Sequence, residues 1–412
     1  LKMLGLGPKE KICAGCSEKM ILRDRNHPSV IMWSIGNEIP ERAAPSGVAI
    51  AEKMVALIRP LDATRPVTAG ICDFWDDRSK TWADIHPAFA HLDVGGYNYQ
   101  WRRSVTDHAT FPDRIIYGSE SYPRQAFESW RTVVSNSWVI GDFVWTAWDY
   151  IGETGLGNAV LDGERANRLP WFNAFCGDID LCGFKKAPFY YREVIWGGAK
   201  MNLAVHAPIP EGRREKVSQW GWPDERQSWT WPGSEGDPLD VTVYSSCESV
   251  RLELNGKEIA TQPVDSRMIA RFKVPYQPGE LRAVGLSGGR RVATATLRTA
   301  GEPHAIRLTA DRSRIRADRS DLSYVTVEIV DRHGTIVPNA AMPVHFNVSG
   351  AGELAATGSG APNDASSFRL PVRKVWHGRA LAILRPKGES GRITLKAEAD
   401  GLKPATVVVR TR

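Results

Sequence analysis

The chain has 412 residues, 42% apolar and 24% charged, with 53 basic and 47 acidic side chains and a formal charge of +6. That length suits two to four domains at roughly 150 residues each, and the composition is that of an ordinary globular protein. The charge forms no block and no apolar run approaches the roughly 18 residues of a membrane-spanning helix, so neither a nucleic-acid nor a membrane partner is expected. Lys9, Glu10 and Lys11 interrupt any apolar core near the start, which argues against a signal peptide. Six cysteines, at 13, 16, 72, 176, 182 and 247, are too scattered for a disulfide framework. Cys13 and Cys16 make one C-x-x-C without the second pair a metal site wants, and neither a metal nor a cofactor is expected.

In chain order, a Gly-rich start leads to a weakly helical piece ending near Leu22. A short apolar run at 30–35 lies between Pro28 and Gly36 and reads as a buried parallel strand. It delivers Asn37 and Glu38 at its C-terminal end. On this stretch alone, Glu38 serves equally as a carboxylate at the N-terminus of the next helix. Helical spacing over 48–58 stops before Pro60. Strands are expected at 66–71, at 91–99, and at 114–120, where the run ends in Glu120. A helix over 124–138, a strand over 142–149 and a closing helix over 188–198 complete this half.

Five strands starting near 30, 66, 92, 114 and 142 have the spacing of βα units. A TIM barrel needs eight, so this half reads as a partial (β/α)8 barrel, the C-terminal piece of a longer protein truncated inside the barrel. Counting back from its end, Glu38 follows strand 4 and Glu120 follows strand 7. Two carboxylates at one barrel edge suit glycoside hydrolysis, in which one is protonated to donate to the leaving oxygen and the other is ionised. Environment sets the two pKa values apart. Twelve of the 15 tryptophans lie between Trp33 and Trp222, and an indole is both a core residue and a platform for the apolar face of a sugar.

The run from Asp24 to Ser34, with His27, Pro28, Ser29 and Trp33, followed by Asn37 and Glu38, closely resembles the acid–base signature of glycoside hydrolase family 2, the β-galactosidases, β-glucuronidases and β-mannosidases. The resemblance implies Glu38 as general acid/base, Asn37 on the sugar 2-hydroxyl and Glu120, in Tyr-Gly-Ser-Glu, as nucleophile. It implies retention of configuration, with carboxyl groups about 5 Å apart. It also implies a tyrosine holding the nucleophile, Tyr99 or alternatively Tyr97. Trp145 resembles the aromatic sugar platform, Trp171 is placed at the entrance, and His86 is a candidate for a sugar hydroxyl. Each of these has a plain packing or surface reading beside it. Asp149 and Glu153 serve either the loop or a sugar hydroxyl. Residues 177–186 lack the Asn-x-Lys element of the glucuronidases, which favours β-galactosidase, and Lys185 and Lys186 read as solvated.

After about residue 200 the texture changes to short alternating segments between Gly, Pro, Asn and Asp. Residues 220–233 read as a linker or extended loop, 250–257 as a hairpin, and 306–409 as an immunoglobulin-like sandwich. The domains expected are the barrel portion at 1–200, a linker and β-sandwich at 201–300, and an immunoglobulin-like β-sandwich at 303–412. The function expected is a retaining exo-β-glycosidase acting on terminal β-D-galactosyl residues. The alternatives are a glucuronidase or mannosidase of the same family, or an inactive, carbohydrate-associated fragment. The resemblance further suggests a periplasmic or extracellular location and is compatible with a homo-oligomer.

Overall fold

The computed structural model describes residues 14–412, which divide into two compact units that part after Thr146. The C-x-x-C pair falls outside the residues whose side chains are described. In the first unit, strands β1 (Trp33–Asn37), β2 (Val67–Ile71), β3 (Val94–Asn98), β4 (Ile115–Ser121) and β5 (Val139–Val144) form one sheet in sequence order. Every neighbouring pair is parallel. Helices α1 (Ala14–Asp24), α2 (Pro45–Ile58), α3 (Arg103–Thr110) and α4 (Ala126–Ser135) precede or connect the strands, with a 3₁₀ helix at Trp82–Phe89. This is the singly wound βα order of barrel architectures. Among the described residues the sheet does not close.

Local chemistry accounts for the elements. Pro45 sits in the first turn of α2, where its missing N–H costs nothing. Val55 and Ile58 of that helix pack on Ile21, Trp33 and Val67. β2 and β3 are buried along their whole length, as parallel strands covered on both faces are. β1 differs from the fully buried strand expected: it is an edge strand with Ser34 and Asn37 exposed. It also begins at Trp33 rather than at Val30, because the Val30 amide bonds back to His27 and its carbonyl accepts from Arg65. The helix expected over 124–138 ends at Ser135, and β5 begins at Val139 rather than 142. Its chain leaves the sheet at Trp145, whose amide still donates to the Ser121 carbonyl at 2.9 Å.

The second unit begins with loops and a helix at Ala187–Ile195. Two β-sandwiches follow, antiparallel except where Arg314–Ile315 pairs in parallel with Ala405–Thr411. In the first, a sheet of Glu225–Arg226, Met201–His206, Pro238–Ser245 and Ile269–Pro275 shares a core with the sheet formed by Lys257–Pro263, Ser249–Leu254, Glu280–Ser287 and Arg290–Arg298. The hairpin expected here is present, and Asn255 and Gly256 both take positive φ, 51° and 78°, as in a type I′ turn. The 220–233 segment is more than a linker, since Trp229 and Trp231 are buried in this core. The second sandwich closes over alternating residues such as Val325, Val327 and Ile329 facing Ile393, Leu395 and Ala397.

Lys186, expected at the surface, is largely buried. It donates to Asp149 at 2.8 and 3.0 Å and to the Phe175 carbonyl at 2.9 Å, with the Phe175 ring 3.6 Å away. The Gly177 amide also donates to Asp149, so this carboxylate holds the 147–186 loops together. Replacing Lys186 by Met leaves Asp149 buried without its cation. That variant is expected to lose about 3–5 kcal/mol, read from denaturant unfolding followed by circular dichroism.

Candidate active site

The parallel register brings the C-terminal ends of β1, β3 and β4 together. Asn37 pairs with Gly70 across β1 and β2, and Asn98 pairs with Glu120 across β3 and β4. Gly70 has to be glycine here. A Cβ on it would lie 2.1 Å from Asn37 Oδ1 and 3.0 Å from Asn98 Oδ1, so both amides cross the sheet over this one position.

Asn98, fully buried, is the hub. Its Nδ2 donates to Glu38 Oε1 at 2.9 Å and to Asn37 Oδ1 at 3.0 Å, while its Oδ1 accepts from Ser119 Oγ at 2.5 Å. Tyr99 Oη donates to Glu120 Oε2 at 2.7 Å, and the Tyr99 ring stacks on Tyr122 at 4.2 Å. Glu38 and Tyr99 both take left-handed backbone, with φ of 49° and 61°. Such conformations cost about 1–3 kcal/mol each in non-glycine residues and gather at functional sites. At Tyr99 this turn matters for the side chain. Period-two alternation would put Tyr97 and Tyr99 on the same face. Instead Tyr97 packs in the helix layer, donating to Asp107 at 2.8 Å, and Tyr99 reaches Glu120.

Glu120 is 9% exposed, and burial pushes its pKa above the usual carboxylate value. The Tyr99 hydroxyl opposes this by favouring the ionised form, the Glu38 charge adds to the rise, and the amides of Asn37 and Asn98 pull it back. Both carboxylates stand at one edge of the sheet and both accept from neutral donors, Glu38 from Asn98 and Glu120 from Tyr99.

The structure therefore brings together Glu38, Glu120, Asn37 and Tyr99, and adds Asn98 and Ser119, which sequence reasoning missed. The available signal was the position of Asn98 at a strand end between two tyrosines. Trp145, half-buried, follows β5 beside the end of β4. His86 is not brought to the carboxylates. It lies in the helix layer, its ring tilted against Phe111 with centroids 4.4 Å apart and 3.2 Å from Arg114, which also donates to Tyr97. Trp171 belongs to the second unit, edge-on to Phe175 at 5.8 Å. Among the described residues no group of three His, Cys, Asp or Glu side chains is arranged to hold a metal.

Comparison with known proteins agrees with this fold. The glycosyl hydrolases family 2 TIM barrel domain matches residues 7–108, and the glycoside hydrolase family 2 C-terminal domain 5 matches 306–408. Between them, a Domain of unknown function (DUF4982) matches 236–293. The chain is 29% identical to the beta-galactosidase BoGH2A of Bacteroides ovatus over 94% of its own length and 50% of that protein's. It is 23% identical to a beta-glucuronidase of Formosa agariphila, over 95% of this chain and 38% of the relative. A crystal structure of a glycosyl hydrolase family 2 member from Bacteroides cellulosilyticus superposes with a TM-score of 0.89 at 39% identity, covering 98% of this chain and 52% of that one. The chain spans about half the length of the relatives it matches. The class is that of the glycoside hydrolases. Within it, the chain belongs to family 2.

Removing the Tyr99 hydroxyl takes away the main hydrogen-bond support of the ionised Glu120. In Tyr99→Phe the Glu120 pKa is expected to rise further, so its carboxylate forms only at higher pH than in the unaltered chain. A ¹³C NMR titration of the glutamate carboxyls reads this directly, and an unchanged Glu120 titration would contradict it.

Proposed function

We propose that the chain carries a retaining exo-β-glycosidase site for terminal β-D-galactosyl residues. The observation that carries the reading is the Tyr99–Glu120 hydrogen bond beside a Glu38 tied to Asn37 through Asn98. In this reading the Glu120 carboxylate attacks the anomeric carbon while Glu38 gives its proton to the departing oxygen, and the alcohol leaves. A water then attacks the glycosyl–Glu120 ester, Glu38 takes its proton, and Glu120 is released with the configuration retained. Asn37 binds the sugar 2-hydroxyl, and Trp145 takes the apolar face. β1 to β5 are strands 4 to 8 of the barrel. The domains run 1–200, 201–300 and 303–412, and the alternation of the last favours an immunoglobulin-like sandwich.

Two features favour galactoside over glucuronide. Residues 177–186 lack an Asn-x-Lys pair, and Lys186 is already committed to Asp149. The name of the B. ovatus relative points the same way. A glucuronide reading draws on the F. agariphila relative.

Aryl β-D-galactoside, β-D-glucuronide and β-D-mannoside separate these readings. Galactoside turnover is expected, falling by at least about a thousandfold in Glu120→Gln. Turnover of the glucuronide alone would overturn the sugar assignment, and turnover of none would mark this polypeptide as an inactive piece. Glu38→Ala is expected to spare a dinitrophenyl galactoside, whose leaving group needs no proton, and to abolish turnover of an alkyl galactoside.

A further inference from the structure

The loop leaving β2 starts beside Glu38, whose amide donates to the Gly70 carbonyl at 2.9 Å. Two residues past Gly70 comes Cys72, buried at 3% exposure, and three further on comes Trp75, 73% exposed. This loop is fastened from within. Arg42, only 2% exposed, donates to the Asp73 carbonyl at 2.8 Å and to Asp76 Oδ1 at 2.6 Å. Its guanidinium lies 4.6 Å from the Phe74 ring centre. The Trp75 backbone amide donates to the Asp73 carbonyl at 3.0 Å, the same carbonyl that Arg42 holds, while its ring stays open to solvent. A tryptophan on a loop braced in this way by a buried guanidinium is a presented surface rather than a core residue out of place.

Its position relative to the two carboxylates gives it a role. Glu38 follows β1, next to β2, whereas Glu120 lies two strands away on β4. In the glycosidase reading, on which this inference rests, Glu38 faces the departing oxygen and Glu120 the sugar that stays. We propose that Trp75 forms the floor of a leaving-group subsite and stacks on the apolar face of a pyranose ring joined to the cleaved oxygen. The site therefore discriminates by what the sugar is attached to, and favours a disaccharide or longer glycan over a simple alkyl galactoside.

Calorimetric titration of the full chain tests this without turnover, using a sulfur-linked galactosyl-thioglucose beside methyl thio-β-D-galactoside. Trp75→Ala is expected to weaken the thiodisaccharide by about tenfold and the methyl thiogalactoside by less than about twofold. Trp75→Phe is expected to fall between, and both variants are expected to keep the thermal unfolding profile of the unaltered chain. Equal weakening of both sugars, or of neither, overturns the subsite and leaves the glycosidase reading in place. Failure of the unaltered chain to bind either sugar overturns that reading, and the subsite with it.

Discussion

Everything at the candidate site depends on parallel register. Only because β1, β2, β3 and β4 are paired in the same direction do Asn37, Asn98 and Glu120 come to one edge. The Asn98 side chain then converts that coincidence of strand ends into a fixed geometry, since it spans β2 to hold Glu38. The absence of a side chain on Gly70 is what leaves room for the span. A single methyl group there would push against two amides at once.

Buried carboxylates are held in two ways, by cations, as at Asp62 in the first unit, or by neutral donors. In the second unit, Asp149 and Asp178 are matched by full cations, Lys186 at 2.8 Å and Arg192 at 2.5 Å. Such pairs tolerate little change in either partner. Around Glu120 the named supports are neutral: a phenol and two amides. Neutral donors stabilise a carboxylate without locking it, which keeps its proton affinity within reach of a neighbouring charge such as Glu38. The rigid pairs organise loops, and the neutral cluster keeps a carboxyl titratable.

Much of this was legible in the sequence because the signals were local. Apolar runs bounded by breakers gave all five strands, and the carboxylates stand at strand ends in recognisable strings. What was not legible depends on contacts between distant residues. Asn98 finds its partners 60 and 61 positions away. The choice between Tyr97 and Tyr99 turns on one left-handed residue that breaks the alternation. His86 looked like a loop residue available to a ligand, but Arg114 and Phe111 enclose it. Trp229 and Trp231 sit among Gly, Pro and Ser, so their burial was invisible until the sandwich that receives them was known. The edges of β1 and β5 moved by three residues because apolar character does not stop where hydrogen bonding does.

The hairpin turn at Asn255 and Gly256 bears on how the protein ages. An Asn-Gly dipeptide is prone to deamidation, because the following amide nitrogen can attack the side-chain carbonyl and close a succinimide. Here the Asn255 side chain is clamped at both ends, its Nδ2 donating to the Pro278 carbonyl at 3.1 Å and its Oδ1 accepting from the Glu280 amide at 2.8 Å. The attack requires that side chain to rotate away from both partners. The turn that the sheet needs thus also shields its own weakest covalent link, for as long as the sandwich stays folded.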